Sequence, residues 1–544
     1  MNSLLVDRIA VSVLALSLIG GIGSSEVLAQ APSTENRTID GVGNNLDNPD
    51  YGSAGIQLLR MGHANYPDGM TPITDPDLAS ARAISNAVAA QEGSVVNPVG
   101  ASDFIWQWGQ FLDHDIDLTT EALPAEPLPI PVPAGDPFFD PAFTGTAVIG
   151  FSRSIYNLDT GTKKNNPRQQ LNLITSFIDA SNVYGSDGAR ASFLRTNDGT
   201  GKLKSTNGEY LPFNTAGFPN AGGPDPDLFL AGDVRANEQI YLTAMHTLFM
   251  REHNRLCDEI AANDPGLSGE EIYQRARRIV GAQMQVISYN EFLPVLLGPN
   301  ALPAYGGYDP DVNPAISNKF STAAYRYGHS QLSPTLLRIN RGGKETLHIK
   351  LKDAFFNPKL IKKSGGIASI MRGLALQKAQ AVDNLLVDGV RNFLFGGPGE
   401  GGFDLAALNI QRGRDHGIPT YNDTRRVFGL KRVKDFDEIT SDPSLQDALE
   451  SVYADVDDVD LWVGGLAEEH VNGALVGETF HTILVDQFTR LRDGDRFWYQ
   501  NDEFFTSDPT LMTELENTTL ADIIRRNTHV GNELQDNVFI VEQN

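Results

Sequence analysis

The longest regular patterns in this sequence are helical. Within residues 238–262, apolar side chains such as Leu242, Met245 and Phe249 recur three or four positions apart. That spacing puts them on one face of a helix, which must be buried against another element. The same spacing recurs in four further segments: 102–112, 269–292, 374–386 and 481–491. Strand-like alternation is sparse, so the sequence predicts a mainly α fold in a single large domain with few short strands.

The chain of 544 residues contains one cysteine, Cys257, so no intrachain disulfide can form. A chain of this length can bury enough apolar surface to fold without one. We interpret Cys257 as a packed side chain rather than a nucleophile, because it lies in a helical pattern. The formal net charge is -26, and a surface that acidic repels phosphate groups, so we expect no nucleic-acid partner.

The first 29 residues have the pattern of a secretion signal. Arg8 precedes an apolar run over residues 9–22, and small or medium-sized side chains precede a cleavage position after Ala29. The run is short for a membrane span, although an uncleaved N-terminal anchor is an alternative. We therefore predict a signal peptide over 1–29 and a secreted or periplasmic domain over 30–544, with no stable membrane insertion after cleavage.

One predicted helix ends in an acidic cluster beside large apolar residues. Asp113, Asp115 and Asp117 surround His114, and three carboxylates so placed repel one another unless a cation or a covalent bond relieves the repulsion. Gln110 lies four residues before His114 and shares its helix face. A solvated helix end is the alternative, but the apolar neighbours argue against full exposure.

Two further clusters contain oxygen and charge at regular spacing. Thr175, Asp179 and Ser181 place oxygens at alternating positions, which suits a hard cation such as calcium, although a capped turn explains the spacing better. Arg235 and Glu238 lie three residues apart before a long helix and can point the same way. A surface ion pair between Arg235 and Glu238 is the alternative explanation.

The last two clusters surround a histidine and an arginine-rich helix. His329 ends the run Tyr325-Arg326-Tyr327-Gly328-His329, and Asn409 and Arg412 lie between apolar flanks in residues 408–417. A lone histidine is more often a hydrogen-bonded core residue than a metal ligand. These residues alone therefore leave the role of His329 open.

All five clusters, in this order and at these separations, resemble the animal-type haem peroxidases, the family of myeloperoxidase, lactoperoxidase and peroxidasin. The resemblance covers residues 36–544. It implies a secreted enzyme that binds haem b, reduces hydrogen peroxide and oxidises small anionic or phenolic donors through a ferryl intermediate. The mammalian members are cross-linked by disulfides, so the single cysteine indicates a bacterial or otherwise reduced member of the family.

The resemblance implies three residues on the peroxide side of the haem. His114 would move a proton from one peroxide oxygen to the other, which requires a neutral imidazole. Arg235 would stabilise negative charge on the breaking bond. Gln110 would hydrogen-bond a distal water or a halide.

The remaining implied roles concern the iron, the haem edge and calcium. His329 would be the iron ligand, and Asn409 would accept its ring N–H. Esters to haem methyl groups are implied for Asp113 and Glu238, and propionate contacts for Arg326, Asp117 and, nearby, Arg412. The implied calcium ligands are Asp115, Thr175, the Phe177 carbonyl, Asp179 and Ser181.

One position departs from myeloperoxidase, in which a methionine directly after the ester-forming glutamate bonds a haem vinyl group. The corresponding residue here is Gln239, so no sulfonium link can form. We therefore expect poor oxidation of chloride, with bromide, iodide, thiocyanate or phenols as better donors.

Three alternative functions fit the sequence less well, and one of them, a non-haem metalloprotein using His246 and His253, lacks the expected ligand spacing. Fatty-acid dioxygenases of the same fold need a radical-bearing tyrosine three residues before the proximal histidine, and that residue here is Arg326. An extracellular adhesion or matrix protein would carry an added adhesion domain or an Arg-Gly-Asp loop, and neither is found in this sequence. All three alternatives are therefore less favoured than the peroxidase.

Overall fold

The computed structural model describes residues 35–71, 78–399 and 401–542. The predicted signal peptide, residues 1–29, lies outside the described residues. The α-helices are α1 (Ala81–Val88), α2 (Phe104–Ile116), α3 (Ser181–Tyr184), α4 (Gly188–Leu194), α5 (Ile240–Asn263), α6 (Gly269–Ile287), α7 (Leu293–Leu297), α8 (Asn318–Thr322), α9 (Gly366–Leu376), α10 (Asp388–Arg391), α11 (Leu405–Asp415), α12 (Tyr421–Val427), α13 (Pro443–Glu450), α14 (Leu461–Ala467), α15 (Glu478–Asp493), α16 (Glu503–Thr506), α17 (Pro509–Glu516) and α18 (Leu520–Asn527).

The strands are short and pair locally. They are β1 (Ile56–Gln57), β2 (Ile130–Pro131), β3 (Val148–Ile149), β4 (Leu171–Asn172), β5 (Thr335–Ile339) and β6 (Glu345–Lys350). They form three antiparallel two-stranded sheets, β1 with β4, β2 with β3, and β5 with β6. The prediction of a mainly α fold with few short strands is confirmed.

Single helical turns of other types connect these elements. The 3₁₀ turns are Ala324–His329, Leu351–Asp353, Pro358–Lys362, Phe436–Glu438 and Val456–Asp458, and one π-helical turn is Ser288–Phe292. No helix in the described ranges is both long and apolar enough to cross a membrane.

The two longest helices, α5 and α6, correspond to the helices predicted over 238–262 and 269–292. The side chain of Gln239 accepts hydrogen bonds from the first N–H groups of α5, and Ser268 begins α6 with a reciprocal capping box to Glu271. The two helices pack against each other along their apolar faces. The helix predicted over 481–491 is also confirmed, as α15.

The helix predicted over residues 374–386 is wrong. Helix α9 ends at Leu376, and the chain beyond it is extended, with Lys378 paired to Ser102 and Gln380 paired to Val96. Ala379, Val382 and Leu386 of this segment are buried outside any helix. Tertiary hydrogen bonding overrides the helical spacing of this segment.

Helix α2 is a core helix. Trp108, Phe111 and Leu112 are fully buried, and the helix contacts α3, α5 and the 3₁₀ turn Ala324–His329. These contacts bring the C-terminal end of α2, the start of α5 and His329 around one interior space.

The single cysteine, Cys257, is buried and forms no disulfide.

A buried cluster of ion pairs connects distant segments of the fold. Arg82 Nε lies 2.7 Å from Asp136 Oδ2, and its Nη1 lies 2.6 Å from Asp404 Oδ2, with all three side chains fully buried. Removing one partner from such a cluster costs about 3–5 kcal/mol. Arg82 thereby connects α1 to the chain before β3 through Asp136 and to the residue before α11 through Asp404.

Candidate active site

A cavity of about 320 Å³ lies between α2 and the 3₁₀ turn Ala324–His329. Its polar lining is concentrated on α2, on the chain before α5, and on that turn. The apolar lining residues include Trp106, Leu332, Leu351, Phe355, Val390, Leu394, Phe395, Leu405 and Leu408. A largely apolar interior with few convergent polar groups is typical of a cofactor site.

His114 lies on the α2 side of this cavity with only 4% of its surface exposed. Its Nδ1 has no hydrogen-bond partner, and the carboxylate oxygen Oδ1 of Asp233 lies 3.5 Å away. Burial disfavours the charged ring and Arg235 repels it, so the pKa of His114 is well below its ordinary value. The ring is therefore neutral near neutral pH.

Arg235 also lines the cavity. Its Nε and Nη2 each donate to one oxygen of the Asp233 carboxylate, both at 2.9 Å, and Nη2 donates to the carbonyl oxygen of Asp117 at 2.8 Å. Burial lowers the pKa of Arg235, but Asp233 outweighs that effect and raises it above its ordinary value. The cation is fixed in both charge and orientation.

Glu238 and Asp113 bring two carboxyl groups to the same cavity. Burial raises the pKa of Glu238 to about 7 against the opposing charge of Arg235. Burial and the neighbouring Asp117 raise the pKa of Asp113 to about 7 as well. Gln110 donates to Glu238 Oε2 at 3.0 Å and lines the cavity between them.

His329 lines the cavity from the 3₁₀ turn. The side-chain nitrogen of Asn409 lies 2.7 Å from its Nδ1, and the Asn409 oxygen accepts from Arg326 Nη1 at 3.2 Å. Burial lowers the pKa of His329 to about 3. The expected contact between Asn409 and His329 is present with its direction reversed, because the amide oxygen accepts from Arg326 instead. Rotating the amide by half a turn would present that oxygen to His329.

Asp117, expected to contact a propionate, and Arg412, expected to lie nearby, do not line the cavity. Arg412 donates instead to Ser154 Oγ at 2.7 Å and to Asp415 Oδ2 at 3.1 Å. Asp117 is buried, and its Oδ1 has no hydrogen-bond partner. Arg326 does line the cavity, so it is a second cation there, besides Arg235, for an anionic group.

The predicted calcium ligands lie together beside α2. Ser181 Oγ donates to the backbone oxygen of Asp115 at 2.7 Å, and Thr175 Oγ1 donates to Asp179 Oδ1 at 3.1 Å. Asp115 Oδ2 accepts from the backbone N–H of Asp179 at 3.2 Å. Phe177 lies in the same loop and is fully buried.

The two carboxyl groups of this loop are buried close together. Burial raises the pKa of Asp115 and of Asp179; the charge of Asp179 adds to this rise at Asp115, whereas Arg37 and Arg277 oppose it at Asp179. The Oδ2 atom of Asp179 is buried without a partner. No cluster of three or more His, Cys, Asp or Glu side chains that could hold a metal occurs in the described part of the chain; this site has two carboxylates and otherwise hydroxyl and carbonyl oxygens.

Several residues of the site are not predicted by any pattern in the sequence. Asp233 pairs with both His114 and Arg235, and its only sequence signal is its place two residues before the arginine. Phe355 and Phe395 line the cavity with ring centroids 5.1 Å apart. Such aromatic residues in loops have no periodic pattern that would mark them.

The residues fit a haem group. A neutral His329 can supply a nitrogen ligand, and α2 and the chain before α5 contribute His114 and Arg235 to the same lining. Apolar side chains surround these groups, and Arg326 supplies a cation for a carboxylate at the edge. The arrangement defines a haem-binding cavity with an acid–base group and a fixed cation.

Comparisons with known proteins agree with this class. A family model described as "Animal haem peroxidase" matches residues 36–539. The chain is 37% identical to peroxinectin A of Dictyostelium discoideum, covering 93% of this chain and 96% of that protein. It is 35% identical to thyroid peroxidase of Rattus norvegicus over 90% of this chain, but spans 59% of that protein's length.

Solved structures agree in fold. Peroxidase A from Dictyostelium discoideum superposes with a TM-score of 0.87 at 36% identity, covering 93% of this chain and 100% of that chain. A fatty acid alpha-dioxygenase of Arabidopsis thaliana has a TM-score of 0.78 at 21% identity, covering 93% of this chain and 83% of that chain, and shares the fold alone. The fold and site define a haem peroxidase domain. The chain belongs to the animal haem peroxidase family, which implies haem and hydrogen peroxide as its cofactor and oxidant.

Proposed function

We propose that this protein is a secreted peroxidase that reduces hydrogen peroxide and oxidises bromide, iodide, thiocyanate or small phenols. The observation that carries the proposal is that His114, Arg235 and His329 line one cavity. In this proposal His329 ligates the haem iron. Haem, when bound, supplies the metal at which the oxygen–oxygen bond of peroxide is broken.

The protein side chains handle protons and charge. The neutral ring of His114 accepts a proton from one peroxide oxygen and returns it to the other, so that water can leave. Arg235 stabilises the negative charge that develops on the departing oxygen, because it is held in place before the reaction begins. Gln110 hydrogen-bonds water or an incoming donor.

Asp113 and Glu238 are proposed to anchor haem through ester bonds. Their support is position and charge, since both line the cavity and both have a pKa raised to about 7. Forming each ester breaks a C–H bond of a haem methyl group and releases two protons and two electrons, which hydrogen peroxide would take up as it is reduced to water. The ester removes a carboxylate charge from an environment that disfavours it. Arg326 is proposed to pair with a propionate.

Calcium is proposed to bind at Asp115, Thr175, the Phe177 carbonyl, Asp179 and Ser181. A divalent cation would relieve the repulsion between the two buried carboxylates and use the orphaned oxygen of Asp179. Because Asp115 directly follows His114, the ion would also stabilise the end of α2 that carries the acid–base group.

The donor preference rests on the cavity lining. Phe395 is 42% exposed and lies against Phe355, which provides an aromatic face for planar phenolic donors. Gln239 has no sulfur to bond a haem vinyl group, and this argues against efficient chloride oxidation.

The dioxygenase alternative is less favoured. A dioxygenase needs a tyrosine three residues before the proximal histidine, and the residue there is Arg326, which is hydrogen-bonded to the Ser321 carbonyl.

Secretion and source are proposed on sequence grounds alone. Residues 1–29 have the pattern of a signal peptide, and the single cysteine departs from the disulfide-linked mammalian members. We propose an extracellular or periplasmic location and a bacterial origin on these grounds.

The test of the proposed function is an absorption spectrum of the purified protein before and after extraction with acidified acetone. We expect a haem spectrum that stays with the protein after extraction, together with peroxide-dependent oxidation of bromide and phenols. A protein that takes up haem but remains inactive toward peroxide with each of these donors would contradict the proposal.

A further inference from the structure

We infer that Asp233 is a positioning residue that fixes both groups acting on peroxide, the imidazole of His114 and the guanidinium of Arg235. The inference rests on the roles proposed for those two residues. It concerns how the protein sets their geometry before any substrate arrives.

The contact to Arg235 is bidentate. Asp233 Oδ1 accepts from the backbone N–H of Arg235 at 2.8 Å and from its Nε at 2.9 Å, while Oδ2 accepts from Nη2 at 2.9 Å. Two parallel hydrogen bonds fix the plane of a guanidinium group as well as its distance. Since Nη2 also donates to the Asp117 carbonyl, Nη1 remains as the donor beside Asp113, 3.4 Å from its Oδ2.

The contact to His114 selects a tautomer. Its Nδ1 lies 3.5 Å from Asp233 Oδ1 and has no hydrogen-bond partner. A carboxylate can only accept, so the favourable arrangement places the ring hydrogen on Nδ1. The lone pair then resides on Nε2. The other tautomer would direct a nitrogen lone pair at a carboxylate oxygen in a buried site.

Asp233 keeps its negative charge although its side chain is only 1% exposed. Burial raises the pKa of this carboxyl, but Arg235 outweighs burial and holds the pKa well below its usual range. A single anion therefore serves both neighbours. It orients the imidazole through one oxygen and the guanidinium through both.

The backbone around Asp233 has little freedom to move. A side chain at Gly232 would overlap the backbone of Ser181 and Gly185, so the loop can approach α3 this closely only with glycine there. The N–H of Asp233 donates to the Asn182 carbonyl at 3.0 Å. Asn182 in turn donates to the Phe111 carbonyl in α2 at 2.7 Å, which ties Asp233 to the helix that carries His114.

The first test needs no substitution of Asp233. Protein labelled with ¹⁵N in its histidine rings is examined by two-bond ¹⁵N–¹H correlation spectra, haem-free and haem-loaded, with the His114 signals identified from their loss in His114→Gln. We expect the proton on Nδ1 and none on Nε2. A proton on Nε2 in both forms would overturn the inference.

The second test uses Asp233→Asn, which keeps the size of the side chain and removes its charge. We expect the second-order rate of peroxide consumption to fall by about 100-fold at equal haem content, with an unchanged KM for the donor and a mixture of His114 tautomers. The matched control is Asp136→Asn, since Asp136 likewise holds a buried arginine by two hydrogen bonds but lies away from the cavity. It should lose stability and keep the peroxide rate.

The outcomes separate this inference from the proposed function. If His114→Gln slows peroxide consumption but Asp233→Asn does not, the inference is wrong and the proposed function stands. If His114→Gln itself keeps the parent rate, the proposed role of His114 fails, and the inference fails with it. Should Asp233→Asn not fold, the tautomer measured in the parent protein decides.

Discussion

Ser333 donates a hydrogen bond from Oγ to Asp103 Oδ1 at 2.7 Å. Asp103 directly precedes α2, which carries His114, and Ser333 follows His329 by four residues. One buried hydrogen bond therefore connects the two chain segments that each supply a histidine to the cavity. Asp103 is fully buried, and its Oδ2 has no partner.

This carboxyl makes stability depend on pH. Burial raises the pKa of Asp103 from 3.8 to about 8. Between those values the folded state holds a proton that the unfolded state has released, so stability falls as pH rises. The free energy of unfolding of Asp103→Asn, relative to that of the parent, should therefore increase with pH by up to about 1.4 kcal/mol per pH unit over this range.

Urea unfolding of the parent and Asp103→Asn at several pH values between about 5 and about 8 measures that gain. Asp198→Asn, at an exposed carboxyl, is the control and should differ from the parent by a constant amount. A constant difference for Asp103→Asn as well would show that the buried carboxyl is ionised throughout.

Replacing His114 with glutamine should slow peroxide consumption by about 10²–10⁴-fold, the usual contribution of a positioned acid–base group. Haem content should not change, because His329, Asp113 and Glu238 remain. Stopped-flow absorbance gives the rate, and the haem spectrum gives the content. His348→Gln, at a side chain that is 61% exposed, should behave as the parent does.

Replacing Asp113 with asparagine and Glu238 with glutamine in one protein should release haem to acidified acetone, because neither amide forms the proposed ester. Each single variant should retain part of the haem through the other carboxyl. Absorbance of the organic layer measures the release. Asp159→Asn, an exposed control, should retain its haem; equal retention by the double variant would exclude ester anchoring at these positions.

Removing calcium should lower the melting temperature. A bound ion contributes about 2.7 kcal/mol when its free concentration is about 100 times Kd, and a chelator removes that contribution. Scanning calorimetry with and without chelator, followed by added calcium or magnesium, gives the size and selectivity of the effect. Asp179→Asn should melt lower and respond to neither treatment; a parent protein that ignores the chelator would count against the site.

Bromide turnover should exceed chloride turnover at neutral pH, because Gln239 offers no sulfur to the haem. Parallel assays with the two halides test this, and equal rates would contradict it. Gln239→Met restores a sulfur at this position and should raise the ratio of chloride to bromide turnover. That variant should also lose about 1 kcal/mol of stability, because the Gln239 side chain caps α5.

Residues in one helix or one short motif could be predicted from the sequence. Gln110 and His114 share a face of α2, and both line the cavity as their spacing indicates. The apolar spacing that begins at residue 238 predicts the start of α5, at Ile240, to within two residues. Local periodicity is sufficient in these cases since neighbouring turns of one helix determine the geometry.

Contacts between distant segments could not be predicted in this way. The pairing of Asp233 with His114 depends on how its loop packs against α3, and the sequence contains no periodic signal for that packing. The extended chain at Lys378 has helical spacing but pairs with Ser102. In both cases tertiary contacts determine a geometry on which the local pattern has no bearing.

The single buried thiol has a practical consequence. Cys257 is enclosed by the core, and burial raises its pKa to about 12, so it should not react with maleimides while the protein is folded. A cysteine introduced at an exposed site such as Leu158, 78% exposed, would then accept a fluorophore or spin label at one defined position. Distances from such a label to the haem iron could be measured in an otherwise unmodified chain.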